Sequence, residues 1–151
     1  MTKFKLGEGR MICKIRKWKL SDATDYISSM LLADENETFA FAITIDNKVI
    51  GSIGVYRQRN IHRQTAELGY YIAEEYWGKG IMTEAVKQIC EYVFRNSDMI
   101  RIYAEPFACN TASCRVLEKA GFQYEGTLRC NAVKNGMVVD MKMYSLLKMD
   151  L

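Results

Sequence analysis

Eight consecutive residues, Tyr76-Trp77-Gly78-Lys79-Gly80-Ile81-Met82-Thr83, carry the most chemistry per position in this chain. Two glycines stand just ahead of a strongly periodic segment in which Met82, Ala85, Val86, Ile89, Cys90 and Val93 repeat at helical spacing. A glycine tolerates positive φ and lets a ligand approach the backbone closely. The unpaired amides and positive dipole end of a following helix attract an anion. A pyrophosphate is the guest such a loop suits, although a tight strand-to-helix turn would also explain two glycines alone. Two other nucleotide motifs fail on the residues. A P-loop needs Gly-Lys followed by Ser or Thr, which does not occur, and a Rossmann fingerprint needs a glycine where Thr83 stands, with only Glu105 available to hold a ribose.

Other reactive side chains are sparse. His62 is the single histidine, in a polar stretch from Arg57 to Gln64, so neither a metal site nor a Ser-His-Asp triad is expected. The five cysteines are odd in number and show no Cys-x-x-Cys pair. They read as reduced, partly buried thiols rather than as metal ligands or disulfides.

The elements that must position the loop follow from periodicity. Met11 to Lys17 reads as a first strand and Ser21 as the cap of a helix carrying Ala23, Tyr26, Ile27, Met30 and Leu31. Phe39 to Ile45 and Val49 to Tyr56 form a hairpin across Asp46-Asn47, and Ala66 to Ala73 is a fourth strand. The clearest helix runs from Met82 to Arg95. Ile100 to Ala104 is a short strand ended by Pro106, and Asn110 caps a second short helix that Gly121 closes. Phe122 to Arg129 and Val138 to Leu147 pair across Asn135-Gly136. The expected order is β-α-β-β-β-α-β-α-β-β, an α/β (α+β) fold with a mixed sheet and helices packed on it.

The 151 residues hold 21 Lys plus Arg against 18 Asp plus Glu, a net charge of +3, and 49% are apolar. One domain over residues 1–151 is expected, with residues 1–10 a loosely ordered extension. The nearly balanced charge gives no basic stripe for nucleic acid, and no apolar run or signal-like N-terminus points to a membrane. The expected location is the cytoplasm.

The run Asn110-Thr111-Ala112-Ser113-Cys114-Arg115-Val116-Leu117-Glu118-Lys119-Ala120-Gly121-Phe122, taken with the glycine loop, resembles the GNAT superfamily of acyl-CoA-dependent N-acyltransferases. Within it the likeness is to the RimJ/RimL branch of ribosomal-protein N-terminal acetyltransferases. The loop is similar to the family's Q/R-x-x-G-x-G/A motif, with Trp77 in the Gln/Arg place and Met82 in the last small place. The second run is similar to N-x-x-S-x-x-x-x-E-K-x-G-F, and the likeness extends over Phe39 to Leu147.

That resemblance implies a V-shaped opening between strands four and five, with acetyl-CoA entering along strand four and no metal. It implies cofactor contacts from Tyr71, Ile72, Ala73, Trp77, Gly78, Lys79, Gly80, Ile81, Met82, Thr83, Asn110 and Ser113. The amide of Ile72 or Ala73 would face the thioester carbonyl, and Ser113 would protonate the leaving thiolate. The amine acceptor must lose a proton before attack. Glu67 is the candidate base, its alternative being a solvated strand carboxylate. Where some relatives carry a further Glu, this chain has Ala132. About twenty residues between Lys17 and Phe39 leave room for one of the two helices the family places there.

The acceptor expected is the α-amine of a peptide or protein, entering between Asp34 to Glu37 and the Ala132 to Met137 hairpin. Small-molecule amines, either polyamines or antibiotics, are the alternative substrates, and a non-catalytic acyl-CoA-binding domain or a nicotinamide dinucleotide enzyme the alternative functions. A homodimer is left open.

Overall fold

The structure is a computed structural model and describes residues 13–17 and 37–151. The first residues expected in strand one, the helix beginning at Ser21, and the acids Asp34 and Glu35 lie outside the described residues. Seven strands form one sheet: β1 (Lys14–Lys17), β2 (Thr38–Ile45), β3 (Lys48–Arg57), β4 (Thr65–Ile72), β5 (Arg101–Ala104), β6 (Gln123–Lys134) and β7 (Met137–Leu147). Their spatial order is β1-β2-β3-β4-β5-β7-β6. Every neighbouring pair is antiparallel except β4 with β5, which is parallel.

Alternation sets the faces of this sheet. Phe41 lies opposite Ile53, and Ile53 opposite Tyr70, so one face carries Phe39, Phe41, Ile53, Val55, Leu68, Tyr70 and Ile72. Helix α1 (Ile81–Asn96) packs on that face, burying Ile81, Met82, Ala85, Val86, Ile89, Cys90, Val93 and Phe94. The ring of Tyr92 meets Phe41 edge-on at 5.1 Å. Helix α2 (Thr111–Lys119) adds Cys114 and Leu117 to the same core. The opposite face carries Gly54, Tyr56, Glu67, Gly69 and Tyr71 by the same register.

The C-terminal hairpin departs from the expectation. β6 continues to Lys134 instead of ending near Arg129, because the two-residue Asn135-Gly136 turn, at φ 52° and 74°, needs paired strands on both sides. The pairing is interrupted on the way: the register shifts between Leu128 and Ala132, where Cys130 takes φ 52° and its amide donates to Asp140 Oδ1 at 2.8 Å. Cys13, Cys90 and Cys114 are buried and Cys109 and Cys130 exposed, all as free thiols. Among the described residues no cluster of His, Cys, Asp and Glu could hold a metal ion, and no helix is long and apolar enough to cross a membrane.

Candidate active site

The loop between β4 and α1 opens with a single 3-10 turn, Glu74–Tyr76, and is tied back to the sheet by Trp77, whose Nε1–H donates to the Ile72 carbonyl at 2.9 Å. Gly78 and Gly80 follow at φ 70° and 76°. A Cβ on either glycine would meet nothing within 4 Å. Core packing therefore does not demand these glycines; the left-handed backbone does, and the space above them stays open. Gly80 is the N-cap of α1 and has no side chain to offer the first turn. The first helical bond reaches back only from the Glu84 amide, to the Gly80 carbonyl at 3.2 Å. The amides of Ile81, Met82 and Thr83 thus lack a side-chain cap, which is the arrangement that receives phosphate oxygens at a helix start.

A second set of amides comes from β4. The Ala73 amide donates to the Ile50 carbonyl at 2.9 Å. Bonded and non-bonded pairs alternate along an antiparallel ladder, so Ala73, Tyr71 and Gly69 turn their amides toward β3, while Ile72 and Tyr70 turn theirs away from it. On that far side β5 pairs only with Thr65, Ala66 and Glu67. Strands four and five therefore splay apart beyond Glu67, and the outward amides of Tyr70 and Ile72 border the opening. This corrects the expectation for Ala73: its amide is engaged inside the sheet and it does not line the cavity, which leaves Ile72 alone of the two facing the opening.

A cavity of about 450 Å³ fills the space between the loop, the end of β4 and α2. Tyr71, Ile72, the whole run from Trp77 to Thr83, Asn110 and Ser113 line it, so all but one of the residues expected to contact the cofactor come together there. Asn110 is a working helix cap, its Oδ1 accepting from the Ser113 amide at 3.1 Å. The Ser113 hydroxyl lies 2.5 Å from the Tyr70 hydroxyl. Lys79, Arg115 and Lys119 add positive charge to the lining.

Tyr70, Arg115 and Lys119 were not expected at the site. The alternation of β4 places Tyr70 among core residues, which hides its polar end. Arg115 and Lys119 fall four apart on α2, a spacing that does put them on one face, but nothing in the chain alone says that this face borders the glycine loop.

Glu67 lies outside the cavity, on the opposite face of β4, paired across strands with Tyr56 and Tyr103. Burial, and then the negative charge of Glu105, push its pKa above the usual carboxylate value. The Tyr56 ring lies against Gly54 and Gly69, and a side chain at Gly54 would collide with it. This second face thus presents a carboxylate beside aromatic rings, at the last residue of β4 that pairs with β5 before the splay.

The acetyltransferase (GNAT) domain family matches residues 8–123. The chain belongs to the GNAT acetyltransferase family. Over 127 residues it is 37% identical to the probable N-acetyltransferase YjcK of Bacillus subtilis, covering 84% of this chain and 70% of that protein. Over 103 residues it is 37% identical to the putative ribosomal N-acetyltransferase YdaF of the same organism, covering 68% and 56%. Among solved structures, a probable acetyltransferase superposes with a TM-score of 0.73 at 32% identity, covering 82% of this chain and 68% of that one. Membership in this GNAT family makes the chain an acyltransferase that takes its acyl group from acetyl-CoA and passes it to an amine.

Proposed function

We propose that this GNAT protein acetylates the α-amine of a peptide or protein, taking acetyl-CoA into the cavity between β4 and α2. The observation that carries the reading is the convergence of two outward β4 amides and an uncapped helix start on one cavity. The loop amides from Trp77 to Thr83 would hold the pyrophosphate, with Lys79, Arg115 and Lys119 supplying charge around it. The Ile72 amide would stabilise the negative charge that develops on the thioester oxygen. Because it is fixed in the strand, it needs no reorganisation when that charge appears.

The acceptor nitrogen reaches the thioester from the Glu67 face through the splay. Glu67 removes its proton, the nitrogen bonds to the acetyl carbon, and sulfur leaves toward Ser113. A carboxylate with a raised pKa is a better base near neutral pH than an ordinary one. An α-amine also demands less of it: its pKa of about 7.7–8.0 leaves far more of it neutral than a lysine side chain at about 10.4. Glu37, Glu74 and Glu75 add negative charge around the acceptor side. We place the enzyme in the cytoplasm, acting on soluble acceptors, with neither nucleic acid nor a membrane as partner.

Thiol release from acetyl-CoA, followed with and without a panel of peptides and small amines, tests this reading. Amine-dependent release is the expected result. Tight CoA binding with no release for any amine would instead mark a non-catalytic acyl-CoA-binding domain.

A further inference from the structure

Tyr70 stands two residues before Ile72 on β4 and reaches across the cavity to α2. Its hydroxyl lies 2.5 Å from Ser113 Oγ and 3.3 Å from the Ser113 carbonyl oxygen. The Ser113 backbone is held separately by the Asn110 cap. The cap therefore fixes where the serine is, and Tyr70 governs how its hydroxyl points.

A phenol has one proton to donate. The carbonyl contact is long, and across the shorter hydroxyl contact either oxygen can donate. When Tyr70 donates to Oγ, the serine's own hydrogen is released to turn into the cavity. In the reverse arrangement the serine hydrogen points at Tyr70, the phenol donates to the Ser113 carbonyl, and no serine hydrogen is left for a ligand. Burial pushes the Tyr70 phenol up to about 12, so it keeps its proton throughout the working pH range.

We propose that Tyr70 is a positioning residue for acyl transfer: its O–H donates to Ser113 Oγ and so aims the Ser113 hydrogen at the leaving sulfur. This rests on the acetyl-CoA reading of the cavity. In the step itself the amine nitrogen bonds to the acetyl carbon and the C–S bond breaks. Sulfur keeps the electron pair and accepts the Ser113 hydrogen bond. The proton shed by the acylated nitrogen goes to Glu67 or solvent, so the balance needs no further reactant.

The test reads the sulfur directly. CoA is titrated with pH in complex with the unaltered protein and with Tyr70→Phe, Ser113→Ala, Ser113→Thr and the Tyr70→Phe/Ser113→Ala double variant, following thiolate absorbance. A donor aimed at sulfur favours the thiolate. The bound thiol of the unaltered protein should therefore titrate about one unit below free CoA, roughly a tenfold change in thiolate fraction. Tyr70→Phe and Ser113→Ala should each lose most of that lowering, the double variant should lose no more than either, and Ser113→Thr should retain it. Lys79, Arg115 and Lys119 line the same cavity and also favour a thiolate, and like the adjacent Cys114 they are the same in every variant. With a peptide acceptor, kcat should fall about tenfold in Tyr70→Phe while KM for acetyl-CoA moves less than about twofold. Equal thiol titration in all variants that bind CoA would overturn the role of Tyr70, as would additive losses in the double variant or weakened acetyl-CoA binding with a lowered melting temperature in Tyr70→Phe. No CoA binding by the unaltered protein would instead overturn the cavity assignment on which the proposal stands.

Discussion

The indole N–H of Trp77 and the carbonyl of Ile72 form a 2.9 Å hydrogen bond that joins the glycine loop to the free edge of β4. Both groups of Ile72 face the splay, so its amide is left for a ligand while its carbonyl anchors the loop. Trp77→Phe keeps the ring and removes the bond. A neutral hydrogen bond is worth about 0.5–1.5 kcal/mol net, so CoA should bind roughly two- to tenfold more weakly, with the melting temperature little changed. Calorimetric titration and a thermal melt together check this.

Gly80 separates backbone requirement from packing. A Cβ there meets no atom, yet the residue holds φ 76°. Gly80→Val should therefore fold, at a cost of about 1–2 kcal/mol for the left-handed backbone, while its side chain fills the space above the loop. CoA affinity should drop at least tenfold. Lys79→Ala, which removes only an exposed charge, should weaken binding by at most about fivefold. Equal CoA affinities for Gly80→Val and the unaltered protein would remove the phosphate assignment.

Glu67→Gln should lower turnover and leave acetyl-CoA affinity nearly unchanged, since the carboxylate lies on the face of β4 opposite the cavity. Its pH dependence has a definite sign. Burial first, then Glu105, raise the Glu67 pKa. Activity should fall as pH drops through that raised value, and Glu105→Gln should move the acid limb of kcat/KM to lower pH by removing one of the two causes. An acid limb that Glu105→Gln leaves in place would assign it to another group.

Much of this architecture was legible because periodicity and turn chemistry agree. Phe39 to Ile45 alternates strictly, Asp46 and Asn47 both adopt the positive φ that their turn requires, and Gly121 closes α2 at φ 95°. What the chain alone hid was direction. The alternation of β4 is the same whether the Ala73 amide or the Ile72 amide faces the opening, and only the pairing with Ile50 decides it. Tyr70 was obscured for a related reason: a tyrosine on a buried strand face reads as core, and its bond to Ser113 spans 43 residues of sequence. The extra length of β6 was likewise hidden by the Cys130 irregularity.

Gly51 shows how closely β3 and β4 approach beside the splay. A Cβ there would stand 2.3 Å from the Tyr71 carbonyl oxygen. Gly51→Ala should cost about 1–3 kcal/mol of stability, because the obstacle is backbone and cannot rotate away. A melting temperature lower by roughly 3–10 °C is expected. Any displacement of β4 should also weaken CoA binding, so stability and affinity should fall together, unlike in Trp77→Phe.

The Glu125 carboxylate reaches over β7 to β5, taking both Arg101 guanidinium nitrogens at 2.7 Å and the Ser145 hydroxyl at 2.7 Å. Chiefly through the Arg101 hydrogen bonds, its pKa falls to about 2. A depressed carboxylate pKa stabilises the fold above its unfolded value, and that contribution is lost as pH falls from about 4.3 toward 2. Acid unfolding of Glu125→Gln should lose part of the steepness seen in this window. An unchanged acid profile would show that the network contributes nothing to acid stability.

The reaction proposed for this GNAT protein is transfer from acetyl-CoA to an α-amine. Initial rates of CoA release, measured side by side on short peptides with free N-termini, the same peptides N-terminally blocked but retaining lysine, and spermidine, test it most directly. Acetylation of the free N-terminus should be at least tenfold faster than of the other two, with mass spectrometry locating the acetyl group on the terminal nitrogen. Preference for spermidine, or equal rates on blocked lysine peptides, would contradict it.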